Sequence, residues 1–264
     1  MSMSGGHLLR LAGPLSSWGL HAAFHDRDTA PHPTRSALIG MLAAASGLPR
    51  EHALAPHHDL PGTPTFQDLH FTVRTDRPGN LYTDFHTVGG GRPREQQLAT
   101  SSGAPRPPAA ATLVSHRHYL ADAAFTVAMT GPRPLLERIA HHLEHPHWAP
   151  YLGRRSCPPT EPLVLATHHP NPVHALLHET PLTPAYPPRQ GQTTVPVTFH
   201  WDQPPPGGAA DAEHELPDAP QDFTTTRRRY TTRPTWRTTE HLPASLHAGS
   251  DPLATLIDYR LGHQ

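Results

Sequence analysis

The sequence predicts an α+β fold in which helices cover one face of an antiparallel sheet. Three observations carry this expectation. Apolar alternation recurs in short segments at 7–13, 66–73 and 125–129; apolar stripes at helical spacing occupy 38–45 and 135–143; and the two kinds of segment follow one another as β, α, β and then β, α, with further strand-like pieces behind them. That order is the one used by a ferredoxin-like (RRM-like) sandwich.

Each element has its own local cause. In "HLLRLAG" Leu9 and Leu11 fall on one side of a strand and Arg10 on the other, the pattern of a half-buried strand, and "GPLSSWG" breaks it. A polar loop, "FHDRDTAPHP", leads into "TRSALIGMLAAASG". There Thr34 or Ser36 caps a helix, Gly47 stops it, and Leu38, Ile39, Leu42 and Ala45 form its buried stripe. "TPTFQDLHFTVRTD" alternates imperfectly through Phe66, Leu69, Phe71 and Val73, but its β-branched and aromatic content favours a strand. "AAFTVAMTG" is cleaner, with Phe125, Val127 and Met129 on one face. The helix that follows begins on prolines in its first turn and spaces Leu135, Leu136, Ile139 and Leu143 as a stripe.

Between these halves, "LYTDFHTVGGG" and "ATLVSHRHYL" each predict a strand, and the polar segment joining them has the composition of an exposed loop. Together they form a hairpin inserted at about 81–120. The expected organisation is a sandwich domain at 1–150 and a smaller, strand-rich region at 151–264, in which "PPPGGAADAEHELPDAPQ" reads as a surface linker.

Composition narrows the function classes. At 264 residues the core needs no disulfide staple, and the lone Cys157 cannot form an internal one. A single cysteine fits a reducing compartment, and with no apolar run near the roughly 20 residues a bilayer requires, the expected location is the cytoplasm. All 21 basic residues are arginine, so every cation is a planar fork suited to phosphate and no lysine can serve as nucleophile or base. A net charge of −1 argues against indiscriminate coating of nucleic acid but leaves room for a local groove. Charge is indeed segregated. From Phe85 to Ala121 the one acid, Glu95, faces Arg92, Arg94, Arg106 and Arg117, and the acids Asp211 to Asp222 precede the arginine block 227–237.

Three chemistries compete. His141 with His145, or His116 with His118, could hold a metal, but no four-ligand zinc spacing is present, so neither metal nor other cofactor is expected. His116, Arg117, His118 and Tyr119 contain the residue types of a metal-independent ribonuclease. The third chemistry is RNA binding without catalysis, which needs glycine turns, free N–H donors at helix starts and arginine forks. Gly13 with Ser16, Ser17 and Trp18, the cap Thr34, Arg35 and Ser36, the triple Gly89, Gly90 and Gly91, and Gly153 with Arg154 and Arg155 supply all of these.

"LRLAGPLSSWG", "PTRSALIGMLAAASG", "DFHTVGGG", "HYLADAAFTVAM" and "YLGRRSCPPTEPLVLA" resemble, in this order, signature segments of the CasD family of type I-E CRISPR Cascade subunits, within the repeat-associated mysterious protein (RAMP) superfamily. The likeness spans about 7–166. It implies a RAMP-type ferredoxin-like domain with a projecting thumb hairpin, and a noncatalytic protein that binds the 5′ handle of the CRISPR RNA (crRNA) and caps the backbone filament. The implied partners are the Cascade backbone subunit and large subunit, with target DNA met indirectly through the assembled complex. Carried over by position, handle phosphates fall near Ser16, Arg27, Arg35, Ser36, Arg154 and Arg155. Trp18 stacks on a base or fills the core, and His86 and Arg117 meet RNA or the neighbouring backbone subunit. Related subunits of subtype C cut RNA with a tyrosine, lysine and histidine set, which a chain without lysine cannot assemble.

Overall fold

The computed structural model describes residues 5–20, 25–89, 91, 93–96, 98–100, 102–104, 106–107, 110–207, 213–224 and 227–263. Gly90, Arg92 and Asp211, singled out above, lie outside the described residues. In chain order the elements are β1 (Gly6–Ala12), β2 (Leu15–Ser16), β3 (Asp26–Arg27), α1 (Arg35–Ala45), β4 (His70–Arg77), β5 (Asn80–Val88), β6 (Leu113–Ala121), β7 (Ala124–Thr130) and α2 (Arg133–Glu144). They continue with β8 (Val164–His169), α3 (Pro172–His178), β9 (Thr194–Trp201), β10 (Glu213–Asp222), β11 (Arg229–Pro243) and α4 (Pro252–Leu261).

A seven-stranded sheet in the order β10-β11-β9-β4-β7-β1-β8 forms the centre, every neighbouring pair antiparallel. It takes strands from both sides of residue 150 without a break. One face carries Leu9, Leu11, Phe71, Val73, Phe125, Val127 and Met129, packed under the stripes of α1 and α2. Both helices start as their sequences require. The Thr34 hydroxyl accepts the Ala37 N–H at 3.3 Å, Gly47 takes φ +71° after the last turn of α1, and proline opens α2.

The opposite face is covered as well, which corrects the expectation of helices on one side only. Leu8, Ala128, Leu165, Leu176, Val197, Phe199, Leu242 and Leu256 form a second apolar cluster there, with α3 and α4 supplying its outer layer. β1 is therefore buried along its whole length, and Arg10, expected to face water, is fully enclosed. Its charge is met from all sides. Arg10 donates to Asp76, Thr183, Thr126 Oγ1 at 3.0 Å and Glu161 Oε2 at 2.7 Å, and Arg74 beside it donates to Asp76 at 2.6 Å and to the carbonyls of Leu176, Thr180 and Pro181. These two cations hold the enclosed Asp76 carboxyl below the usual carboxylate range against the pull of burial.

The segment expected as a linker also differs. Its second half is β10, which pairs with the arginine-bearing β11 so that Asp222 opposes Arg229 and the enclosed Asp218 holds Arg233 at 2.7 Å. The acidic and basic segments thus meet across a ladder at these two positions, a long-range pairing that the proline and glycine content of the segment conceals.

Candidate nucleic-acid interface

The inserted segment is a long antiparallel ribbon, β5 on β6, in register from Asn80 opposite Ala121 to Val88 opposite Leu113. β2 pairs with the base of β6, and β3 lies parallel to it with Arg27 opposite Arg117. Side chains alternate across a strand, so Arg27, Arg117, Tyr119 and His86 share one face of this small sheet, while Asp26, His116 and His118 share the other.

The 151–157 loop docks on the first face. Gly153 makes this possible: at φ +81° it lies so close to Ser17 that an added Cβ would stand 1.8 Å from the Ser17 carbonyl oxygen. Gly13 answers it from the other loop, where a Cβ would stand 2.7 Å from the Pro158 carbonyl oxygen. Ser17 N–H donates to the Leu152 carbonyl at 3.1 Å, and Leu152 and Cys157 close the turn on themselves. Cys157 is a small packed residue, 1 % exposed, and burial raises its thiol pKa, which disfavours the thiolate.

Arg154 and Arg155 then part company. Arg154 reaches back to the carbonyls of Arg27 at 2.9 Å and Asp28 at 3.3 Å, with its guanidinium 4.6 Å from the centroid of the Tyr119 ring. It braces the loop against the ribbon and keeps Nη1 buried and unpartnered. Arg155 is exposed and pairs with no described residue.

Next to this loop opens a groove of about 1300 Å³ whose floor is the outer face of α1, the small residues Ser36, Ala37, Gly40 and Ala44. Five arginines line it, Arg27, Arg50, Arg154, Arg155 and Arg228, against one carboxylate, Asp28, which already accepts the Leu20 N–H at 3.1 Å. Trp148, Tyr151, Phe223 and Tyr230 stand among them. Cationic forks interleaved with aromatic faces over a smooth floor are what a single-stranded polyanion with splayed bases requires.

Of the loops nominated from the sequence, the groove unites three, through Ser17, Thr34, Ser36, Gly153, Arg154 and Arg155. The glycine triple is not among them. Gly89 and Gly91 sit at the far end of the ribbon, past Val88. Ser16 is enclosed at the ribbon base, and Trp18, 1 % exposed, packs edge-on against Phe125 with its centroid 6.2 Å away. Trp18 thus fills the core, since a buried indole has no face to offer a base. Arg35 is spent internally, because its guanidinium pairs with Asp202 at 2.5 Å and donates to the Gln67 carbonyl, while its backbone N–H gives a 2.7 Å bond to Asp218. The anion-seeking start of α1 is thereby filled by the chain's own carboxylate. Above it, His32 stacks on His200 at 3.8 Å, and burial lowers the pKa of both, His200 to about 3. His86 leans on Asp84 at 3.2 Å and stays on the ribbon.

Four residues of the groove carry no local signature, Arg50, Trp148, Arg228 and Tyr230. They arrive from three separate places in the chain, and only the density of the 227–237 arginine block pointed toward Arg228.

A family model for CRISPR-associated Cas5 proteins matches residues 7–235. The chain belongs to this family. Among relatives of this Cas5 chain, "CRISPR system Cascade subunit CasD" of Escherichia coli (strain K12) is 34 % identical over 188 residues, 66 % of this chain and 77 % of the relative. A solved structure described as "CRISPR RNA-guided surveillance complex" contains a chain 42 % identical, which superposes with a TM-score of 0.85 over 97 % of this chain and 99 % of that one. Another, "Crystal structure of Cas protein", is 26 % identical with a TM-score of 0.54, covering 91 % and 96 %.

Proposed function

We propose that this Cas5 chain is a noncatalytic RNA-binding subunit of a type I-E CRISPR Cascade complex, where it holds the 5′ handle of the crRNA and caps the backbone filament. The observation that carries this reading is the groove in which five arginines meet one already engaged carboxylate. Likeness to the CasD subunit and to a chain of an RNA-guided surveillance complex supports the assembly. The order β4-β7-β1-β8, with α1 and α2 on one face, supports a ferredoxin-like core, and the β5–β6 ribbon supports a thumb. We assign the handle to the 1–150 portion with the 151–158 loop, and stabilisation of the groove wall to the 151–264 portion through β10 and β11. The neighbouring backbone and large subunits are proposed partners, the ribbon being the surface that reaches them. Target DNA is met through guide pairing in the complex, and the cytoplasm is the proposed location.

The ribonuclease alternative is disfavoured by geometry. Arg117 and Tyr119 point to one face of β6, His116 and His118 to the other, so base, acid and phosphate clamp do not converge on one scissile bond. Both ring nitrogens of His118 are also engaged, by Asp26 at 2.8 Å and Thr83 at 2.9 Å.

The decisive experiment measures capture of handle RNA by the complex across a salt series, with the native chain and with the double variant Arg155→Ala and Arg228→Ala. Expected is weaker capture with a shallower salt dependence, by about 0.7 log units per log unit of salt for each lost phosphate contact. Unchanged capture would overturn the groove assignment. Cleavage of repeat RNA by pure protein in chelator, abolished by His118→Ala, would overturn the noncatalytic reading.

A further inference from the structure

Away from the groove, three side chains of metal-ligating type converge where β8, α3 and α4 come together. His169 ends β8, Glu179 caps the C-terminus of α3 and His263 follows α4, and one ligand atom from each lies within 4.8 Å of the other two. Among the described residues no other set of three or more does so. The His141–His145 pair nominated by spacing lies one helical turn apart at the end of α2, with no third ligand among the described residues.

The surroundings organise the three. His263 Nδ1 lies 2.7 Å from the Tyr259 carbonyl oxygen, which fixes the ring proton on Nδ1 and leaves the Nε2 lone pair outward. The Tyr259 ring stacks on His263 at 4.2 Å and its hydroxyl lies 3.4 Å from Thr180 Oγ1, so the imidazole is held at both its edge and its face. The His169 side chain is 9 % exposed, and its Nε2 lies 3.3 Å from Glu179 Oε2. The other carboxylate oxygen of Glu179 is 3.1 Å from His174 Nδ1. A backbone carbonyl behind an imidazole is the outer partner that ligating histidines use.

We propose that His169, Glu179 and His263 bind one divalent first-row transition ion of the zinc or nickel type, with water or His174 completing the shell. Metal–ligand distances of about 2.0–2.2 Å require the ligand atoms to draw together by roughly 1 Å. Glu179 and His263 both stand at helix ends, where a side-chain rotation supplies that movement. His169 must also change tautomer. Its Nδ1 now accepts the Asn171 N–H at 3.2 Å, so coordination moves the ring proton from Nε2 to Nδ1 and exchanges that hydrogen bond for the metal bond. The ion would join the last helix to the edge strand β8, a staple of the kind this chain's single cysteine cannot provide.

The test uses the untagged full chain, titrated with zinc by calorimetry and with cobalt(II) by visible absorption, in parallel with His263→Ala, Glu179→Gln and His141→Ala. Expected is one ion per chain, a tetrahedral cobalt band, and an ion-dependent rise in melting temperature. His141→Ala keeps all three, and His263→Ala and Glu179→Gln each lose the band and the rise. His263 and Glu179 are peripheral to the core, so their variants fold without the ion and the comparison stands. Absence of one-to-one uptake, or uptake that survives both substitutions, would overturn the proposal.

Discussion

Two groups of arginines in this protein do opposite work with the same side chain. At the sheet centre, Arg10 and Arg74 are wholly enclosed, and between them they direct their guanidinium N–H groups at carboxylates, hydroxyls and backbone carbonyls. In the groove, Arg27, Arg50, Arg155 and Arg228 are exposed and pair with no described residue. The first group is satisfied by the chain, and on the proposed reading the second meets an anion from outside. Arg154 stands between them, with Nη2 tied to two carbonyls and Nη1 without a partner. The comparison teaches that a guanidinium reveals its purpose by what faces it rather than by its neighbours in the sequence.

The contrast can be broken most forcefully from the buried side. Asp76→Ala leaves two enclosed cations without their shared anion and should cost about 3–5 kcal/mol of stability, read by chemical denaturation, while RNA capture by the protein that remains folded persists. Gly153→Ala comes next. Its Cβ would overlap the Ser17 carbonyl and its φ is unfavourable for any L side chain, so a loss of more than about 1 kcal/mol is expected, together with weaker RNA capture because the loop is displaced.

Acid provides a third test. His200 is neutral when folded, its pKa lowered to about 3 chiefly by burial and then by His32, whereas in the unfolded chain it takes a proton near pH 6.5. Its contribution is therefore complete above pH 6.5 and declines as pH falls from there toward 3, by on the order of 1–2 kcal/mol at pH 5. His200→Asn should flatten the stability profile over that window; an unchanged slope would mean the histidine is already charged in the folded protein. Asp76 acts in the same direction at lower pH, its contribution being lost as pH falls through its depressed folded value. The smallest effect on stability belongs to Arg155→Ala, within about 0.5 kcal/mol of the native chain, because that side chain touches nothing it would leave unsatisfied. Its signature is confined to the salt dependence of RNA capture.

The elements most legible in the sequence are those with a strong local period and a cap. Thr34 and Gly47 bracket α1, and the stripe Leu135, Leu136, Ile139 and Leu143 defines α2, each close to where the structure has them. The β5–β6 ribbon was legible because a glycine-rich, polar segment separates two β-branched runs. What escaped depends on distant pairing. Arg10 looks solvent-facing until Asp76, Glu161 and Thr183 are brought to it, and β10 looks like a linker until β11 lies beside it. In the site, Gly153, Arg154 and Arg155 were recognisable as a turn bearing cations. No local pattern says that Arg154 turns inward over Tyr119, or that Arg50 and Trp148 share a groove with Arg228.

The bond from Asp218 to the start of α1 has a consequence for selectivity. A bare helix N-terminus is a general cradle for small anions, and free phosphate or a mononucleotide would settle there as readily as an RNA backbone. With that cradle already filled by an internal carboxylate, the remaining attraction is divided among arginines spread along the groove, each too weak alone to retain a small ion. On the proposed RNA-binding reading, only a polymer that engages several at once gains the avidity to stay, so chain length itself would become a criterion for entry, and the abundant small anions of a cell would be screened out before any base is read.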